Sequence, residues 1–420
     1  SVQMNLDITT DISDLDIDNI QLKNTSRHDV GLLPDDYYKQ KLSYQIYKFR
    51  SYLLPLINYE LSLLKYIQSF HTPFLTWFFI LSANFGSHTF YVLMLPLPVW
   101  IGSIHLTRDL VIVLGLGIYF TGFIKDLLCL PRPKSPPLKR LTMSHYTSQE
   151  YGCPSSHSAN AIAVSLVLSL HIYHSSLSLY GKIILYFLLI CYFLTMLIGR
   201  LYCGMHGLVD VIIGSLIGAI IFILRYLTIN YHDILILNNN SFWVPIIFIT
   251  IYYSLIYFHP TPIDPCPCFE DSIAFIAVLM GLNLGFWSIS YLNGPVISSS
   301  SYDKLQFTNN SPFSNLSKLG YIYNNHYAKI ELTSDPFKIF ARILIGVISV
   351  LIWKSLSKPL FTLIINLIRK HIFNDKSNNK SNVFAFMNRN DTRILVKYIV
   401  YAGISIVSIY LKYLFDLLNL

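Results

Sequence analysis

Charged side chains are scarce in this sequence. Asp, Glu, Lys and Arg make up 13% of the 420 residues, about half the share in soluble domains, while 53% are hydrophobic and the mean hydropathy is +0.48. That excludes a water-soluble fold. Repeated apolar runs close to the roughly 20 residues that cross a bilayer exceed what a soluble core needs, so chain length here counts passes rather than domains. Metal-site spacing is also missing. The six cysteines (Cys129, Cys153, Cys191, Cys203, Cys266 and Cys268) form no pair of CxxC elements and no His spacing typical of zinc, so no metal and no cofactor is expected. Nor is there a basic stripe interleaved with aromatics, so the net charge of +8 points away from nucleic acid and toward anionic lipid headgroups or a phosphate substrate. Residues 1–35 lack the charged-then-apolar order of a signal peptide and read as a disordered polar tail, which leaves targeting to the first span.

Aromatics are plentiful, 30 Tyr and 27 Phe, as expected of a chain with many helix ends at headgroup level. Residues 36–65 alternate aromatic, aliphatic and basic side chains and suit an amphipathic helix on the membrane surface. A transmembrane core is expected over residues 66–230. Residues 231–420 read as further spans with polar loops at 293–337 and 374–393. Apolar runs near 67–85, 88–105, 108–129, 158–177, 182–202, 207–228, 242–258, 272–292, 338–357, 359–373 and 394–417 predict an all-α polytopic bundle of about nine to eleven spans. Lys39, Lys41, Lys48, Arg50 and Lys65 put the N-terminus in the cytosol by the positive-inside tendency. Three passes later, Arg132, Lys134, Lys139 and Arg140 then fall on the other face, against that tendency, which assigns them to chemistry rather than orientation. Both polar loops fall on the cytosolic face.

Three stretches carry the chemistry: "KDLLCLPRP" (Lys125 to Pro133), "YGCPSSHSAN" (Tyr151 to Asn160) and "GRLYCGMHGLVD" (Gly199 to Asp210). Two passes separate the first two from the third, so all three face one compartment. Lys125, Arg132 and Arg200 at a bilayer edge are costly unless they bind something, and three fixed cations suit a phosphate and the charge that develops on it during transfer. His206 and Asp210 stand four apart at the start of an apolar helix and share a face. The carboxylate can fix the tautomer of His206 and leave the other ring nitrogen as a nucleophile. His157 can protonate the leaving alkoxide, and the helix start after Ser155 and Ser156 offers free N–H groups to an anion. The plainer alternatives are snorkelling cations, a capping neighbour at His157 and a packed histidine at His206; the remaining histidines, among them His71, His88, His105, His171, His174 and His259, are assigned to packing. His145 stays open. "GSLIG", Gly214 to Gly218, allows close helix approach within one chain or between two copies of a homodimer.

The order K-x6-R-P, P-S-x-H and R-x5-H-x3-D resembles the three-part signature of the type 2 phosphatidic acid phosphatase superfamily, and covers about 90 residues. The resemblance implies that Lys125, Arg132, Arg200, Ser155 and Ser156 bind phosphate, that His206 forms a phosphohistidine, that Asp210 orients it, and that His157 is the general acid, without metal. Two positions depart from the commonest pattern, Ser156 where Gly is usual and Gly199 where Ser is usual. "LPRPKSPP", "YTSQEYGCPSSHSAN" and "GRLYCGMHGLVD" further resemble the fungal sphingoid-base 1-phosphate phosphatases. This implies an endoplasmic-reticulum protein with its site toward the lumen, acting on dihydrosphingosine and phytosphingosine 1-phosphates. Other lipid phosphates, isoprenoid diphosphates, head-group transfer and non-catalytic lipid phosphate transport are the alternatives.

Overall fold

The computed structural model describes residues 30–143, 147, 149–239, 241–264, 266–293, 335–372 and 392–420. The tail over 1–29, most of the polar stretches 293–337 and 374–393, and His145 lie outside the described residues. Every regular element among the described residues is helical. Three short helices, α1 (Asp35–Lys41), α2 (Tyr44–Tyr59) and α3 (Leu61–Gln68), precede the bundle. They are two-faced. Leu53, Ile57 and Leu64 are buried, and Tyr44, Tyr52, Tyr59 and Tyr66 are exposed, as an amphipathic segment demands.

The next stretch is α4 (Pro73–Ser82), a 3-10 turn (Ala83–Gly86), α5 (His88–Met94) and the short α6 (Leu97–Trp100). Pro73 opens α4 behind the cap Thr72, whose side chain accepts from Leu75 N–H, a position where the missing proline N–H costs nothing. Ser87 caps α5 in the same way. The two halves are bent by 57°, as in a broken span or a re-entrant loop, and the contacts at their two ends favour the broken span. Thr72 N–H donates to the Tyr202 hydroxyl at one end, and Trp100 Nε1 donates to the Ser408 carbonyl at the other.

The bundle proper is α7 (Ile104–Leu128), α8 (Ser156–His174), α9 (Leu179–Tyr202), α10 (Leu208–Leu237), α11 (Trp243–Tyr257), α12 (Cys268–Asn293), α13 (Pro336–Ile372) and α14 (Thr392–Leu417). Six of these, α7, α9, α10, α12, α13 and α14, are long and apolar enough to cross a membrane, or seven segments with the bent pair. α7 and α12 form the centre, with 61% and 72% of their apolar windows buried, whereas α9 and α13 bury 11% each and present Ile183, Phe187, Leu344 and Leu363 outward, as lipid-facing helices do. α10 lies tight on α8: a Cβ on Gly214 or Gly218 would collide with the Ser155 or Ala159 carbonyl. The small-residue stripe is thus used within the chain. Cys266 and Cys268 are joined in a disulfide.

Two pairs of expected spans are corrected. The runs at 67–85 and 88–105 are halves of one bent crossing. Those at 338–357 and 359–373 are the single helix α13 with Pro359 inside it, because a proline keeps a helical φ and membrane helices tolerate the lost donor. Losing one crossing changes the parity. Gly31 N–H donates to Asp264 (3.0 Å), and Gln68 Nε2 donates to the Lys139 and Tyr202 carbonyls (2.7 and 3.1 Å). The segment from Val30 to Gln68 therefore shares the end of the bundle that carries Lys125, His157 and His206. A cytosolic N-terminal segment and a lumenal site cannot both hold for the described residues. Likewise, Asn293 bonds Tyr413 and Lys338 bonds the Asn419 carbonyl at the far end, while α14 starts at the site end. The helix ends that flank the two polar loops thus lie on opposite faces rather than one.

Candidate active site

Helix ends build the site. α7 stops at Leu128 because Cys129 turns left-handed (φ 49°) and donates its N–H to the Lys125 carbonyl, which sends the chain out through "LPRPKSPP". α9 stops at Tyr202, followed by Gly204 at φ +62°, where a Cβ would lie 2.6 Å from the Lys139 carbonyl. Only glycine fits that turn. It folds Met205 and His206 back so that both N–H groups point at the Arg200 carbonyl (3.2 and 3.4 Å). α10 then begins after Gly207, whose N–H is accepted by Asp210 Oδ2 at 2.9 Å.

His206 is 2% exposed. Its Nδ1 lies 3.7 Å from Asp210 Oδ2, an electrostatic contact longer than a hydrogen bond, and its Nε2 lies 3.2 Å from Arg132 Nη1. Burial first, and then the charges of Arg132, Lys125 and Arg200, hold this imidazole well below its ordinary value, so it is neutral and keeps a lone pair near pH 7. Arg132 ties the loops together: Nε donates to the Glu150 carbonyl (2.9 Å), Nη1 to Met205 (2.6 Å) and Nη2 to Thr147 (2.7 Å). Burial lowers its guanidinium to about 10, still charged at neutral pH. Lys125 Nζ is paired with Glu150.

A cavity of about 380 Å³ opens in front of this group, with Lys125, Ser156, His157 and Arg200 on its wall. Arg132, His206 and Asp210 stand behind that wall. Ser155 does not face the cavity. It is the N-cap of α8, with its hydroxyl engaged by Ser158 N–H (3.3 Å) and Ser158 Oγ (3.0 Å). At Gly199 a Cβ would come 3.0 Å from Phe79, so Phe79 packs where a serine side chain would otherwise project.

Several residues at the site carried no sequence signal by spacing. Glu150 stands one residue before the second stretch, at no spacing that marks it. Glu60, from the amphipathic segment, accepts from Val209 N–H at 2.7 Å in the first turn of α10, and burial raises its carboxyl. Asn160 also reaches the cavity wall. Asp126, next to Lys125 in sequence, has no hydrogen bond to either carboxylate oxygen among the described residues, and His259 Nδ1 lies 3.8 Å from it.

Residues 106–234 match the PAP2 superfamily. The chain is 36% identical to dihydrosphingosine 1-phosphate phosphatase YSR3 of Saccharomyces cerevisiae, over 90% of this chain and 88% of that one. It is 35% identical to dihydrosphingosine 1-phosphate phosphatase C823.11 of Schizosaccharomyces pombe, over 81% and 76%, and 32% identical to human sphingosine-1-phosphate phosphatase 2, over 53% and 55%. No solved structure matches significantly. The chain belongs to the PAP2 superfamily.

Proposed function

We propose that the protein is an integral membrane phosphatase that hydrolyses long-chain sphingoid-base 1-phosphates to the free base and phosphate. The observation that carries this is the neutral, buried His206, held between Asp210 and Arg132 behind a cavity whose wall supplies Lys125, Arg200 and His157. The names of the fungal relatives supply the substrate class.

The chemistry follows from which ring nitrogen faces what. Nδ1 faces Asp210, so Nε2 attacks phosphorus. The phosphoryl group enters between His206 and Arg132, and the guanidinium contact now made to Nε2 passes to a phosphate oxygen. The ester P–O bond breaks as the N–P bond forms, and His157 gives its proton to the departing alkoxide. Burial, then Arg200, Lys125 and Arg132, hold this imidazole low in the free site, and the arriving phosphate dianion offsets those charges so that it carries the proton it donates. The same imidazole then takes a proton from water, whose oxygen attacks phosphorus, breaks the N–P bond and returns His206. Lys125, Arg132 and Arg200 offset the charge on the phosphoryl oxygens throughout, so the reading calls for no metal. On the same reading the protein sits in the endoplasmic reticulum membrane with its site toward the lumen, and the segment from Val30 to Gln68 goes with it.

Phosphate release by purified protein in detergent with EDTA present, from sphingoid-base phosphate and from phosphatidate, tests the activity. No release from either refutes it. A cysteine at position 139 (Lys139→Cys) in sealed microsomes tests the side: labelling by an impermeant reagent before permeabilisation places the site in the cytosol.

A further inference from the structure

Gly207 is the N-cap residue of α10 and has no side chain with which to accept from the free N–H groups of the helix start, the usual task of an N-cap. The acceptor comes from elsewhere. Glu60, at the junction of α2 and α3, reaches across from 149 residues away and takes Val209 N–H on Oε1 at 2.7 Å. The same carboxylate fills the place of a side chain at residue 207: a Cβ there would collide with Glu60 Oε2, and would meet Asp210 Oδ2 at an ordinary 3.8 Å. The backbone does not call for glycine, since φ at Gly207 is −84°, open to any residue. Glu60 is also held firmly. Leu53 and Ile57 of α2 are buried with Leu128, Leu130 and Cys153, and Val209 and Ile213 of α10 pack on the same cluster. Gln68, at the end of α3, grips the Lys139 and Tyr202 carbonyls.

We propose that Glu60 is a positioning residue for phosphoryl transfer: from outside the PAP2-matching residues it caps α10 and so fixes how His206 and Asp210 meet the substrate. This rests on the phosphatase reading and adds to it the part played by the segment before the bundle. His206 directly precedes the cap and Asp210 follows it by three residues, with Asp210 Oδ2 accepting from Gly207 N–H at 2.9 Å. A first turn that shifts therefore carries imidazole and carboxylate with it. A misplacement of about 1 Å can cost about 100-fold in rate without removing any contact to the substrate. Lys125 and Arg200 belong to α7 and α9 and keep their places when the start of α10 moves. The loss then falls on kcat rather than on KM.

The test measures kcat, KM and thermal midpoint of the whole chain in detergent with dihydrosphingosine 1-phosphate. Glu60→Ala should lower kcat by about 10- to 100-fold with KM little changed. Glu60→Gln keeps an acceptor for Val209 N–H and should stay near the native rate. Glu60→Ala combined with Gly207→Ser puts a capping hydroxyl into the space that Glu60 leaves, and should recover part of the lost kcat. A lowered midpoint with native kcat per folded molecule overturns the proposal and assigns Glu60 to folding. So does Glu60→Gln as slow as Glu60→Ala, or a loss that lies in KM alone. Should Glu60→Ala not fold, Gly207→Ala, whose Cβ displaces the carboxylate, reads the same loss, and native kcat in that variant overturns the proposal. Absence of hydrolysis by the native protein refutes the phosphatase reading itself, and the positioning role with it.

Discussion

α7 carries a cluster of buried charge at each end, and the two are built on opposite principles. At its start, Arg108 contacts Asp233 (2.9 Å), Arg225 bridges Asp109 (2.9 Å) and Asp233 (3.0 Å), and His171 sits 3.0 Å from Asp109. Two arginines meet two aspartates, so the group is neutral apart from its histidines. At its other end, Glu150 contacts Lys125 and Arg132, and Arg200 Nε has no hydrogen-bond partner among the described residues. Breaking a closed buried pair is costly because it strands a charge, while the intact pair adds little net stability. A surplus of cations is tolerable where a ligand completes it. The far cluster fastens α7 to α8 and α10; the near one, on the proposed function, is completed by a phosphate.

If this contrast is sound, substitutions at the two ends fail in different ways. The largest effect belongs to His206→Ala, which removes the proposed nucleophile: turnover should fall to background while the purified protein keeps its thermal midpoint. Near-native activity in that variant refutes the phosphohistidine mechanism. Asp210→Asn comes next. Its Oδ can still accept from Gly207 N–H and cap α10, so the fold should survive, but the charge beside His206 Nδ1 is gone. Turnover should drop by about 10²- to 10⁴-fold, by analogy with triad carboxylates, with substrate binding less affected. A lowered midpoint with native turnover would show that Asp210 only caps the helix.

At the far end the pattern should reverse. Asp233→Asn strands Arg108 and leaves Arg225 with Asp109 alone, and breaking a buried pair of this kind costs roughly 3–5 kcal/mol. The midpoint in detergent should fall steeply, with turnover per folded molecule near that of the native protein. Loss of turnover at an unchanged midpoint would mean that the far cluster communicates with the site, and the contrast would collapse.

How far each cluster was legible follows from the same geometry. The near one announces itself because its members sit at helix ends with short fixed spacings: Arg200, His206 and Asp210 fall within eleven residues, and a helix start brings His206 and Asp210 onto one face. The far one joins Arg108 to Asp233 and Asp109 to Arg225, more than a hundred residues apart, and no spacing rule reaches across separate helices. The pair of Lys397 with Glu270 was hidden for that reason too, since they meet only once α14 packs on α12. Hydropathy gave the all-helical membrane bundle but not its crossings. A break such as "NFGSH" within an apolar run looks like a loop between two spans, yet here it is the bend within one. Pro359 looks like a boundary and lies inside α13. Ser155 was placed at the right helix start, but its hydroxyl serves the cap and not the cavity.

The smallest expected effect concerns the cations as a tuning field rather than a grip. On the proposed mechanism His206 must be neutral to attack. Its proton affinity is depressed by burial and then by Arg132, Lys125 and Arg200, so the neutral form should persist below the ordinary imidazole value near 6.5, and rate should be lost only as pH falls through that lowered value. Removing one cation raises it. Arg132→Gln should therefore begin to lose rate at a higher pH than the native protein, on top of a general drop in activity. The phosphate monoester itself titrates near pH 6 and would blur either profile alone. It is the same in both, so the difference between the normalised kcat/KM profiles isolates the imidazole. Coincident profiles would mean that burial alone sets the state of His206 and that the surplus of charge acts only in binding phosphate.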